Sequence, residues 1–109
     1  MFISRGDIYY IKGLNHDGHV QEGERPAIIV SNNLNNKFSN VFEVVFLTTK
    51  KKKDLPTHVK VMAYEMSTAL CEQVNSVSIN RFSEYIRTCS ETEMNEIDKA
   101  LKISLSLNE

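Results

Sequence analysis

The sequence predicts a mainly β domain: a small barrel or highly curved sheet of five to seven short strands, with a helix near the C-terminus covering its open side. Three observations carry this reading. Short apolar runs rich in β-forming residues recur through the first part of the chain, turn-forming or charged residues separate them, and the hydrophobic period becomes helical only after Ser90. A chain of 109 residues, 41% of them apolar, holds material for one modest core and none for a second, so one domain is expected over residues 1–109.

The first strand is placed at residues 8–11, after the turn-like Arg5-Gly6-Asp7. Residues 12–25, punctuated by Gly13, Gly18 and Gly23, read as a long polar loop of the kind that is usually functional. Residues 26–30 and 41–47 are core strands, and the first of them ends at Ser31-Asn32-Asn33. Residues 50–53 are all lysine and project as a loop, after which 57–62 forms a further strand and 67–77 divides into two short ones. Ile79, Phe82 and Tyr85 suggest a short helical turn. Ser90 with Glu93 has the form of a capping box, and Met94, Ile97, Ala100 and Leu101 then recur at helical spacing over about three turns. Ile103, Leu105 and Leu107 alternate with polar residues, so the chain is expected to finish as a strand.

The net charge of −1 argues against a general nucleic-acid coat, but its distribution is lopsided. Residues 1–60 hold nine Lys or Arg against six Asp or Glu, whereas residues 61–109 hold four against eight, so a polyanion would approach the first half. Apolar runs fall far short of the roughly 20 residues needed to cross a bilayer, and no signal-like stretch opens the chain, which points to the cytoplasm and to no membrane partner. Cys71 and Cys89 are too few for a disulfide framework and read as reduced thiols.

Several side chains could carry chemistry. Arg25 stands where the polar segment enters an apolar strand and is followed by Pro26, which restricts its backbone to extended conformations. A guanidinium held there either forks onto a phosphate or pairs with Glu22 or Glu24. Thr48 and Thr49 end an apolar run just before Lys50, Lys51, Lys52 and Lys53. A hydroxyl so placed can orient a phosphate oxygen beside charges that gather a polyanion; the ordinary alternative is a β-branched strand end and a solvated loop. His19, with His16 and Asp17 nearby, titrates near neutrality and suits proton transfer, while a metal site there lacks a third ligand of clear spacing. His58 reads as an ordinary satisfied histidine in a strand. Tyr9, Tyr10 and Phe46 could stack on bases, although aromatics in short strands are more often core.

Gly6-Asp7-Ile8-Tyr9, then Gly18-His19-Val20-Gln21-Glu22-Gly23-Glu24-Arg25-Pro26-Ala27-Ile28-Ile29-Val30-Ser31-Asn32, Leu47-Thr48-Thr49, Leu55-Pro56-Thr57-His58-Val59 and Glu72-Gln73-Val74 together resemble the MazF/PemK-like toxins in order and spacing. The resemblance implies a homodimeric endoribonuclease with an SH3-like barrel. Such a protein cuts single-stranded RNA at short sequences, without a metal or other cofactor, as the toxin of a toxin-antitoxin pair, and a cognate antitoxin protein inhibits it. Carried over by position, the catalytic arginine falls on Arg25 and the catalytic threonine on Thr48, while His19 matches a histidine of the PemK-like branch. Val20 stands where a glutamate is common, which leaves the general base open between His19 and Glu22. Thr49, the four lysines, Gln21 and Gln73 are then expected to contact RNA. Two other functions share the fold: a non-catalytic toxin that binds and poisons DNA gyrase, and a nucleic-acid or protein interaction module.

Overall fold

The computed structural model describes residues 2–14 and 20–107, with the side chains of Leu14, Val20, Gln21 and Glu22 outside the description. Along the chain run β1 (Asp7–Leu14), β2 (Val20–Ile29), α1 (Asn33–Phe38), β3 (Val41–Thr48), β4 (His58–Met62), β5 (Met66–Ser78), β6 (Phe82–Thr88) and α2 (Glu91–Ser104). The strands form one six-stranded sheet in the order β4-β5-β3-β2-β1-β6, every neighbouring pair antiparallel. The expected class, mainly β with a C-terminal helix, is the one observed.

The sheet curls into a half-barrel because both of its faces are apolar and α2 covers only one. Ile8, Ile28, Val45 and Leu47 pack beneath Ile97 and Ala100 of α2. On the opposite face Tyr9, Ala27, Ile29, Phe42 and Val44 close on Phe82 and Val77 instead. Phe42 lies at the centre of that second cluster, 1% exposed, with the Phe82 ring centroid 5.1 Å away. Bending is concentrated in β5, whose pairing with β3 jumps from Val45↔Val74 to Leu47↔Ala69, so residues 70–73 bow out of that ladder. Glu72 lies in this excursion.

Gly6 and Asp7 tie the two ends of the fold together. Gly6 adopts φ +95°, a backbone conformation that favours glycine. Its N–H donates to Ile29 O at 2.8 Å, and its carbonyl accepts from Cys89 N–H at 2.9 Å. The buried Asp7 carboxylate accepts from the Thr88 hydroxyl at 2.7 Å and from Ser4 N–H at 2.9 Å. Helix α2 opens with the predicted capping box, the Ser90 side chain accepting from Glu93 N–H while the Glu93 carboxylate accepts from Ser90 N–H. Arg87 grips the same carboxylate with two nitrogens, at 2.8 and 3.0 Å, and holds Glu93 down at about 2.

Four local expectations are corrected. Much of the supposed loop 12–25 is a hairpin, since β1 reaches Leu14 and β2 begins at Val20, with Lys12 paired to Glu24. Ladder hydrogen bonds need no apolar side chain, so strand ends of polar sequence can read as loop. Residues 67–77 are one long kinked strand and not two short ones. The helical turn covers only Ile79–Arg81, whereas Phe82 and Tyr85 lie in β6 opposite Ile11 and Tyr9. Bulges in that pairing produced their three-residue spacing. Finally, α2 continues through Ser104 and residues 105–107 add no strand: Leu105 N–H bonds back to Leu101 O, and Leu107 N–H to Lys102 O. Helix α1 was not foreseen, although its cap Asn32, accepting from Asn35 N–H at 2.8 Å, was visible in the sequence. No helix among the described residues is long and apolar enough to cross a membrane.

Candidate active site and nucleic-acid interface

Register settles which candidate side chains share a face. Ala27 lies opposite Phe46, so Arg25, two residues before Ala27, stands on the same side of the sheet as Phe46 and, two residues further on, Thr48. Arg25 therefore sits within β2, paired to Ile11, and not at the junction of a loop with a strand. Its exposed guanidinium lies 4.6 Å over the centroid of the half-buried Phe46 ring. Cation–π contact of this kind holds the planar group while leaving its N–H fork for an incoming acceptor.

Thr48 ends β3, and its hydroxyl oxygen accepts from Lys50 N–H at 3.1 Å. A hydroxyl that accepts in this way keeps its own proton for donation to a substrate oxygen. Thr48 is opposite Thr68, and Thr68 in turn is opposite Lys60, so a row of two hydroxyls and an ammonium crosses β3, β5 and β4 on this face. Thr68 and Lys60 were not among the residues expected to act. Only the register reveals them, because β5 and β4 are far from Thr48 in sequence.

Thr49, Lys50, Lys51, Lys52 and Lys53 are all exposed, as the solvated-loop and polyanion readings both require. The far end of the tract is fixed by His58, whose Nδ1 is 2.7 Å from Lys53 O and whose Nε2 is 3.0 Å from Glu72 Oε2. The other Glu72 oxygen accepts from the Thr57 hydroxyl at 3.1 Å. The Glu72 hydrogen bond, helped by Lys53 O, holds His58 above its ordinary range against the opposing effect of burial. Burial would push Glu72 up, but the bonds from His58, its own backbone and Thr57 outweigh it and keep Glu72 low.

Gln73 is exposed beside Glu72 in the bowed part of β5. His19 lies outside the described residues, as do His16, Asp17 and the side chains of Gln21 and Glu22. Tyr9 is buried between Phe82 and Tyr85 and belongs to the core, whereas Tyr10 packs against Tyr64. Cys71 and Cys89 are free and buried, and burial pushes their thiols up to about 12 and about 11, which leaves them unreactive.

A polar, cation-rich face that shows no reactive nucleophile among the described residues suits a substrate that brings both its charge and its nucleophile. Comparison with known proteins agrees with this class. Residues 4–105 match the PemK-like, MazF-like toxins of type II toxin-antitoxin systems, and the chain belongs to that family. It is 33% identical to Endoribonuclease EndoA of Bacillus subtilis (strain 168), over 98% of this chain and 97% of that protein. Among solved structures it is similar to an endoribonuclease in complex with its cognate antitoxin from a mycobacterial species, with TM-score 0.84, 25% identity and 98% of each chain covered. The fold is shared with a chain of a MazE-MazF crystal structure from Deinococcus radiodurans, with TM-score 0.83, 20% identity and 99% of each chain covered.

Proposed function

We infer that this chain is a sequence-specific, metal-independent endoribonuclease, the toxin of a toxin-antitoxin pair, acting on single-stranded RNA in the cytoplasm. The observation that carries the reading is the shared face on which Arg25 lies over Phe46, Thr48 follows two residues further along β3, and four lysines begin two residues after that. The half-barrel is read as an SH3-like barrel, supported by its six antiparallel strands and the helix closing one face.

In this mechanism the ribose 2′-hydroxyl attacks the adjacent phosphorus. The bond from phosphorus to the 5′-oxygen breaks, leaving a 2′,3′-cyclic phosphate and a 5′-hydroxyl. One proton leaves the 2′-hydroxyl and one reaches the departing 5′-oxygen; His19 and Glu22 are assigned these transfers. The Arg25 guanidinium offsets the charge that builds on the non-bridging oxygens, and the Thr48 hydroxyl donates to one of them. Because the nucleophile belongs to RNA, DNA is spared. Thr49, Gln21 and Gln73 are assigned contacts with the strand.

The lysine tract supplies counterion release. Replacing Lys50, Lys51, Lys52 and Lys53 by glutamine is expected to weaken RNA binding at low salt. It should also flatten the plot of log affinity against log salt by roughly 0.7 for each phosphate that is no longer neutralised. Fluorescence anisotropy across a salt series measures this, and an unchanged slope would show that the tract is only a solvated loop.

A homodimer is proposed, with one strand of RNA held in a groove shared by two copies. Its support is physical: a barrel this small has limited core area, and its apolar strand faces gain by burial against a symmetry mate. The antitoxin is proposed to be an acidic, partly disordered segment that folds across the same groove and excludes RNA. Purified protein mixed with long single-stranded RNA separates this function from its rivals. Discrete fragments support the nuclease, whereas intact RNA would leave the gyrase-binding toxin or the interaction module.

A further inference from the structure

His58 is bonded to two acceptors at once. Lys53 O is a carbonyl and can only accept, so the Nδ1 that faces it at 2.7 Å must carry a proton. Glu72 Oε2 faces Nε2 at 3.0 Å, and the carboxylate already accepts from Thr57 through its other oxygen. With Glu72 ionised, the second ring nitrogen must carry a proton too. Both hydrogen bonds therefore form together only with the imidazolium, whose side chain is one-tenth exposed. A neutral ring would set a lone pair against the Lys53 carbonyl or against the carboxylate, and one of the two bonds would break.

The placement gives that pair of bonds a consequence. Lys53 is the last residue of the basic tract, and the first, Lys50, is bonded to the Thr48 hydroxyl. The tract is thus pinned at both ends: by the proposed catalytic threonine on β3, and by His58 on β4 through Glu72 on β5. We propose that His58 and Glu72 form a protonation-gated latch that holds the 50–53 tract beside Arg25 and Thr48, which makes His58 a positioning residue for the RNA strand. The inference rests on the RNA-cleaving reading above and adds to it a regulator of substrate affinity. A tract ordered before RNA arrives spares the complex the entropy of fixing four long side chains and their backbone.

The pH window follows from the groups that face the ring. These are Glu72 from β5, Lys52 and Lys53 from the tract, Asp54 just after it, and Lys60 from β4 itself. His58 is raised from 6.5, so its contribution is complete below that value and is lost as pH climbs through the raised one. Glu72 is lowered from 4.5, so its contribution is complete above that value and is lost only in stronger acid. The latch is closed between these limits and opens on the alkaline side.

The test measures cleavage of a single-stranded RNA by wild type, His58→Ala and Glu72→Gln from about pH 5.5 to 9, with KM and kcat read separately. In wild type KM is expected to rise about 3- to 10-fold on the alkaline side while the basic tract stays charged. His58→Ala should show the raised KM at every pH, with kcat at the plateau within about twofold of wild type. Glu72→Gln keeps an acceptor for Nε2 but not its charge, and it should move the KM midpoint to lower pH even if His58→Ala folds poorly. A merely structural histidine would leave the midpoint of a folded Glu72→Gln protein unmoved. Wild-type cleavage with KM independent of pH, or with the same midpoint in Glu72→Gln, overturns the latch and leaves the nuclease reading standing. Wild-type protein that cuts no RNA overturns both.

Discussion

Replacing Arg25 by alanine is expected to lower the rate of RNA cleavage by about 10²- to 10³-fold, the usual cost of removing one preorganised donor from a site where charge develops. The fold should survive the change. Arg25 is exposed, and its ring contact with Phe46 is worth only about 0.5–1 kcal/mol at such a position. Single-turnover cleavage at saturating protein, read beside a denaturation curve, separates lost chemistry from lost structure. A folded Arg25→Ala protein cutting at the wild-type rate would remove Arg25 from the mechanism and with it the reason for reading this face as the site.

The second large effect is on stability. Phe42 is fully enclosed on the sheet face that has no helix cover, among Ile29, Val44, Val77 and Phe82. Truncation to alanine leaves a cavity that a curled sheet cannot easily close, and a loss of about 3–5 kcal/mol is expected. Against the 5–15 kcal/mol typical of natural domains, this is a large share of the total. Urea titration with a fixed m-value measures it. A loss below about 1 kcal/mol would mean that the second cluster does not hold the half-barrel shut.

The class of fold was legible because its signals are local. Short apolar runs bounded by turn or charged residues marked β3 and β4, and Ser90 with Glu93 marked the start of α2, where the capping box then appeared. What failed was information that lies in pairing. Lys12 opposite Glu24 forms part of a hairpin without any apolar signature, and Phe82 and Tyr85 mimic helical spacing because bulges shift the β1–β6 register. The site divides in the same way. Arg25 and Thr48 stood out through their neighbours in sequence, Pro26 and the lysines. His58 read as an ordinary satisfied histidine, and both of its ring nitrogens are indeed hydrogen-bonded, but its partners Lys53 and Glu72 come from a loop and from the bowed segment of a different strand. Thr68 and Lys60 came to notice only through cross-strand register.

The central claim is that the chain cuts RNA by using the substrate's own 2′-hydroxyl, and a single-ribose substitution tests it most directly. Purified protein is incubated, in excess chelator, with a long single-stranded RNA to find the bond it cuts. The measurement is then repeated on the same RNA carrying one 2′-deoxyribose on the 5′ side of that bond. Cleavage of the all-ribose strand into fragments ending in a 2′,3′-cyclic phosphate and a 5′-hydroxyl, with the deoxy-substituted bond left intact, is the predicted result. Cutting of the deoxy-substituted bond, or an all-ribose strand that remains whole until a divalent metal is supplied, would contradict it.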